Sequence, residues 1–190
     1  MVSIPNVASP LVGVLLPRAH EARCYGIVIM PWDKPYRPPK NQRLDPELYA
    51  TPNIVCFMTV RAYMNHSPFV RAELNRVVLD ILRAEQARQN CLVYTYCLMP
   101  DHLHFLVSPQ RQGISTLTFT DQFKGKATNA SWTTGWRGKL WQPRYFDHIV
   151  RTEESLAAIS EYILNNPVRK GLVERPEDWQ WSGQMNPLPI

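Results

Sequence analysis

Tyr94-Thr95-Tyr96-Cys97-Leu98-Met99-Pro100-Asp101-His102-Leu103-His104-Phe105-Leu106-Val107 is the stretch on which the fold turns. Apolar, aromatic and β-branched residues run up to Leu98, Met99-Pro100-Asp101 breaks the run, and a second apolar run begins at once. Proline cannot donate to a strand ladder, so the two runs read as separate strands, 91–98 and 102–107, joined as a hairpin. Alternate side chains of a strand share a face, which sends His102 and His104 one way and Leu103 and Phe105 the other. Two imidazoles whose Cα atoms lie roughly 7 Å apart can converge on one divalent cation. Taken alone, a His-x-His also describes the polar edge of a half-buried strand. The adjacent turn, a place where sites are commonly built, favours the cation.

Working outward, residues 53–63 are β-branched and aromatic and read as a strand. Ser67-Pro68 supplies a cap and a first-turn proline for a helix to about residue 89, with Phe69, Val70, Leu74, Val77, Val78, Ile81 and Leu82 on its apolar side. A second helix starts near Ser115 or Thr118 and carries Leu117, Phe119, Phe123 and Ala127 before a Gly/Trp/Thr loop over 131–138. Residues 140–150 read as a fourth strand interrupted at Pro143. Thr152 is placed to cap a last helix, with Glu153 and Glu154 in its first turn, ending near 165–166 where Pro167 stops it. The order β-α-β-β-α-β predicts an α+β fold, the ferredoxin-like split βαβ. It has an antiparallel four-stranded sheet, helices on one face and an extra C-terminal helix. That architecture hosts many functions, so function has to come from a site.

The 190 residues suffice for one domain plus an arm. A hydrophobic fraction of 45% with 11% aromatics excludes general disorder. The formal charge of +5 suggests a polyanionic partner, most simply nucleic acid. Cys24, Cys56, Cys91 and Cys97 show no C-x-x-C spacing, so neither a zinc ribbon nor a disulfide framework is indicated, and reduced thiols are expected. No run reaches the length of a membrane span and Val12-Gly13-Val14-Leu15-Leu16 is too short for a secretory signal; a soluble, cytoplasmic, nucleoid-associated protein is expected. Residues 1–50, punctuated by eight prolines, are expected to form an arm, with the run 25–30 as a candidate added strand, ahead of a domain over 51–190.

The last helix offers a second half to the histidine site. Leu156, Ile159 and Ile163 form its buried stripe, and Tyr162 and Asn166, four apart, lie together at its flank. A tyrosine there is ordinarily a packing residue with its hydroxyl at the surface. Three segments change that reading: Met99-Pro100-Asp101-His102-Leu103-His104, Leu140-Trp141-Gln142-Pro143-Arg144-Tyr145-Phe146-Asp147-His148, and Tyr162-Ile163-Leu164-Asn165-Asn166-Pro167-Val168-Arg169-Lys170-Gly171-Leu172-Val173. In this order they resemble the single-tyrosine HUH transposases, and among them the REP-associated tyrosine transposases. The resemblance covers roughly residues 52–183 and leaves the first 50 without a counterpart. It implies that His102 and His104 bind a metal, that Tyr162 is the nucleophile, and that Asn166 stands where insertion-sequence members place a glutamine as third ligand. The shorter side chain makes direct coordination by Asn166 less secure, with a bridging water as the alternative.

That resemblance implies a metal-dependent DNA single-strand endonuclease and strand transferase acting on hairpin or REP-type single-stranded DNA through a 5′-phosphotyrosine. The covalent link conserves the bond energy, so rejoining needs no nucleotide cofactor. Free tyrosine titrates near ~10 and is a poor nucleophile at pH 7, which a divalent cation on the phosphate would offset. Mixed nitrogen and oxygen donors suit Mg²⁺ or Mn²⁺, with Mn²⁺ favoured for tight occupancy. His148 has two readings of equal weight, an auxiliary at the phosphate or a satisfied strand histidine. Lys124, Lys126, Arg144, Arg169 and Lys170 are the expected DNA contacts, each of which could equally be a solvated charge, and Trp132, Trp136, Trp141 and Tyr145 are possible stacking residues, Trp141 mostly core. Two other functions compete: a domesticated DNA-hairpin-binding protein without strand transfer, and a water-using phosphoesterase to which Tyr162 is dispensable. A monomer and a homodimer are both compatible with the sequence.

Overall fold

The structure, a computed structural model, describes residues 44–189, which fall within one compact unit. The described residues contain a five-stranded antiparallel sheet in the order β4-β1-β3-β2-β5, with β1 Cys56–Arg61, β2 Cys91–Met99, β3 His102–Pro109, β4 Phe146–Ile149 and β5 Ser182–Gln184. The first four strands follow the split βαβ order, so the fold class is as expected; β5 adds a fifth strand at the edge of β2. Helices α1 (Ala72–Gln89) and α2 (Thr116–Ser131) follow β1 and β3. The apolar core lies between them and the sheet: Met58, Val60, Leu103, Phe105 and Val107 meet Leu74, Val78, Leu82, Phe119, Phe123 and Ala127. Phe105 has ring contacts with Phe119 and Phe123, at centroid distances of 6.3 and 6.1 Å.

The other face carries the third helix, α3 (Leu156–Leu164), followed by a short helical turn, α4 (Asn166–Arg169). Ser160 meets Thr95 of β2 through a hydroxyl–hydroxyl bond of 2.6 Å, which seats α3 on that face.

Several boundaries differ from the sequence expectation. Pro68 opens a separate 3-10 turn, and α1 begins only after Arg71, whose extended φ/ψ of −96/112 breaks the run. The cap of α3 is Ser155, whose Oγ accepts from Ala158 N at 3.2 Å, not Thr152; Glu154 is held in the preceding turn by the backbone N–H of Arg151. α3 ends at Leu164, close to the expected 165–166, and Pro167 then sits in the first turn of the separate α4, where its missing N–H is tolerated, with Gly171 (φ 65) beyond its end. The arm expected over 1–50 lies, up to residue 43, outside the described residues, as does the possible strand at 25–30. In residues 44–50, Tyr49 enters the core and its hydroxyl donates to Asp147.

Candidate active site on the open face of the sheet

Register places the histidines. His102 lies opposite Arg61 and Met99, and His104 opposite Thr59 and Cys97, all pointing away from the α1/α2 core. The two rings are nearly buried, 7% and 8% exposed, and their Nε2 atoms meet at 2.9 Å. The outer nitrogens are each engaged. Nδ1 of His102 is 2.6 Å from Asp101 Oδ1, and Nδ1 of His104 is 2.8 Å from Thr59 Oγ1.

Proton positions follow from these partners. An ionised carboxylate only accepts, so His102 donates Nδ1–H to Asp101 and, when neutral, presents a bare Nε2. Asp101 is held below the usual carboxylate range chiefly by that bond, with Arg61 adding a nearby positive charge. The 2.9 Å contact then requires His104 to donate Nε2–H to His102, with Thr59 donating its hydroxyl to His104 Nδ1. A hydroxyl donates or accepts equally well, so Thr59 permits the opposite His104 tautomer, in which both Nε2 atoms are bare. Burial is the main cause that pushes His104 well below its ordinary value, and any charge on the adjoining His102, like that of Arg61, acts the same way, so His104 is neutral and competent as a ligand.

Donor chemistry and spacing fit a divalent ion. Two ligands at ~2.1 Å from a metal and at right angles to each other lie ~3.0 Å apart, close to the Nε2 separation seen here. Asp101 and Thr59 are oxygen partners of the kind that orient metal-bound imidazoles. Cys97 faces the same side opposite His104, but burial pushes its thiol up to about 12, so it is not a thiolate ligand at neutral pH. Among the described residues no group of three or more His, Cys, Asp or Glu side chains forms a metal cluster.

Tyr162 comes to this pair from α3. Its ring centroid is 6.5 Å from that of His104 and 6.5 Å from that of Phe57, which stacks on His104 at 5.4 Å. The guanidinium of Arg169 lies 4.5 Å from the Tyr162 ring centroid. Asn166 holds the joint between these two residues. Pro167 cannot supply the N–H that would reach Ile163 O in a continuous helix, and Asn166 Nδ2 donates there at 3.3 Å and to Tyr162 O at 2.9 Å. Asn166 Oδ1 takes no part in these two bonds.

The remaining expected residues are distributed unevenly. His148 lies opposite Phe57 on the histidine face, with Nε2 2.9 Å from Glu154, which ties β4 to the turn before α3. Lys170 is exposed beside Arg169, and Arg144 is exposed ahead of β4. Lys124 and Lys126 are on α2, across the sheet from the histidines. Lys124 is 9% exposed and donates to Pro143 O at 2.8 Å, and Lys126 pairs with Glu85 of α1. Trp141 is core, packed on Phe69 at 4.8 Å, while Trp132 is exposed. Thr59 and Phe57 were not readable as site residues, because only strand register sets them against His104; Asp101 was legible only as a turn residue.

A profile of the family described as "Transposase IS200 like" matches residues 55–166, more than half of the chain and the whole of the arrangement from β1 to Asn166. The chain belongs to the IS200-like transposase family. Among related proteins of this kind, one from Haemophilus influenzae, provisionally named a REP-associated tyrosine transposase, is 30% identical over 110 residues, 50% of this chain and 62% of the relative. The match thus spans about three-fifths of that relative's length. A REP-associated tyrosine transposase of Escherichia coli K12 is 22% identical over 126 residues, covering 66% of this chain and 73% of the relative. The fold is shared with a solved REP-associated tyrosine transposase bound to a REP hairpin, with a TM-score of 0.60 at 20% identity over 70% of this chain and 78% of the other. Among the described residues no helix is long and apolar enough to cross a membrane.

Proposed function

We propose that this protein cleaves and rejoins one strand of hairpin-bearing DNA of the REP type, using Tyr162 as nucleophile and a divalent ion held by His102 and His104. The observation that carries the reading is the meeting of two oriented imidazoles at 2.9 Å with the tyrosine ring beside them. Membership of a transposase family and REP-associated relatives support the substrate class.

In this reading Tyr162 Oη attacks the phosphorus of a phosphodiester. The Oη–P bond forms as the P–O3′ bond breaks; the phenol gives up its proton and the leaving 3′ oxygen gains one, so the step balances without a co-reactant. The product is a 5′-phosphotyrosine and a free 3′-hydroxyl, and a 3′-hydroxyl attacking in reverse restores a continuous strand. A divalent ion, Mg²⁺ or Mn²⁺, supplies charge stabilisation at the phosphate when bound. His102 and His104 would hold it, oriented by Asp101 and Thr59, and Asn166 Oδ1 would complete the set directly or through water. Arg169 brings positive charge to the ring of the nucleophile and so to the phosphate it attacks.

The test is incubation of the full chain with a labelled single strand carrying a hairpin from the flank of its own gene, with Mg²⁺, Mn²⁺ or EDTA. A denaturing gel is expected to show a metal-dependent covalent adduct that Tyr162→Phe abolishes. Binding without an adduct under either metal would turn the account to a hairpin-binding protein without chemistry, and an adduct surviving Tyr162→Phe would refute the nucleophile.

A further inference from the structure

Beyond Arg61 the chain leaves β1 through a single bridge, Ala62 to Trp141, and turns at Tyr63-Met64-Asn65 over the segment that precedes β4. An open cleft of about 400 Å³ lies there, lined by Tyr63, Met64, Gln142, Pro143 and Arg144. That volume lies within the ~300–1,000 Å³ typical of small-ligand sites.

Four features distinguish this cleft from an ordinary surface hollow. Met64 and Asn65 are successive non-glycine residues in the left-handed region, at φ 52 and 56. Such backbone is unfavourable for the Met64 side chain, whereas asparagine tolerates it as at Asn65. It also presents an apolar side chain to solvent, Met64 being 67% exposed. Second, Asn65 Oδ1 accepts from Gln142 Nε2 at 3.0 Å, which orients the Gln142 amide and leaves its oxygen and second N–H to be shared with a ligand. An oriented amide with one donor and one acceptor matches the edge of a nucleobase. Third, the walls are cationic and aromatic: Arg144 lines the cleft, and the ammonium of Lys139 stands 5.4 Å from the Tyr63 ring centroid. Fourth, the cleft is fixed to the catalytic strands. Gln142 N donates to Arg61 O and Tyr63 N to Leu140 O, each at 2.9 Å, and Arg61 is the cross-strand neighbour of His102.

We propose that this cleft binds one unpaired nucleotide next to the cleaved phosphodiester. Tyr63 and Met64 pack on the base, Gln142 reads its edge, and Arg144 meets its phosphate. The proposal rests on the DNA-strand reading given above and deepens it, because it locates sequence selection in protein side chains beside the histidine pair. Aromatic stacking accepts any base, whereas the amide discriminates among them.

An abasic site stepped along the unpaired flank of the hairpin strand tests this, with affinity read by fluorescence anisotropy and cleavage by adduct formation. For the wild-type chain, one position adjoining the adducted phosphate should lose about tenfold in affinity when its base is removed. In Gln142→Ala and in Tyr63→Ala, intact and abasic strands should bind alike at that position. A variant that keeps the wild-type penalty overturns the cleft and leaves Tyr162 in place; a wild-type chain that forms no adduct with any strand removes the Tyr162 reading and the cleft with it. Photocrosslinking supplies a measurement independent of variant folding. A 5-iodouracil at the sensitive position should label Tyr63 or Met64 in the wild-type protein, and labelling confined to other peptides overturns the proposal.

Discussion

Leu103, Phe105 and Val107 point from β3 into the two helices, while His102 and His104 point from the same strand to the opposite side. The first set packs into a continuous apolar core with Phe119 and Phe123. The second set meets Thr59, Asp101, Phe57 and Tyr162, so that nearly every polar atom has a named partner. One strand therefore builds stability on one side and the candidate site on the other, and the difference is set by the two-residue period alone. A change on the core side should cost folding, and a change on the histidine side should cost metal binding and chemistry while the fold stays intact.

The largest expected effect on stability is Phe105→Ala. Its ring is fully buried between Phe119 and Phe123, and truncation should destabilise the domain by about 3–5 kcal/mol, measured by chemical denaturation. A smaller loss of the same kind would mean that the core face refills readily and that the two faces are less distinct than their packing implies.

Glu85 sharpens the contrast from the far side of the core face. It is almost wholly buried on α1 and bonds Arg88, Gln89 and Lys126. The bond from Arg88 is the largest cause holding its carboxyl down at about 2 against an ordinary 4.5, with burial opposing. A depressed carboxyl stabilises the fold fully above the unfolded value, and that contribution is lost as pH falls from about 4.5 towards about 2. Glu85→Gln should lower stability at pH 7 by about 2 kcal/mol, less than for a fully buried pair because Arg88 and Lys126 are nearly half exposed, and should flatten the acid limb of the stability profile. An unchanged acid limb would remove Glu85 as its source.

On the histidine face the expected effect is on binding. Thr59→Val keeps the side-chain shape but removes the hydroxyl that serves either His104 tautomer. Mn²⁺ affinity measured by calorimetry should fall about tenfold or more, with little change in melting temperature. A fall in melting temperature without a fall in affinity would show Thr59 to be a packing residue only.

These contrasts also explain what the sequence disclosed. The His-x-His spacing, the Pro-Asp turn and the helical periodicity from Phe69 to Leu82 were local signals; the hairpin formed where they lay, and α1 formed over all but the first turn of its expected span. Phe57 and Thr59 became site residues only through the β1–β3 register, which no local pattern states. β5 went unread because Ser182-Gly183-Gln184 has no apolar alternation; it forms against Tyr96, whose ring contacts the Gly183 position. Pro167 marked the end of α3 correctly, to within two residues, but gave no sign of the short α4 that follows or of the Asn166 amide that bonds Ile163 O at the joint. Lys124 and Lys126 were legible as charges but not as tethers, since their partners, Pro143 and Glu85, are distant in sequence.

The most direct measurement is peptide mapping of the covalent product. After reaction with hairpin DNA and Mn²⁺, nuclease trimming and proteolysis, mass spectrometry should find the residual nucleotide on the peptide containing Tyr162 and on that residue. A nucleotide on any other tyrosine, or none in a protein that binds both Mn²⁺ and the strand, would contradict the account.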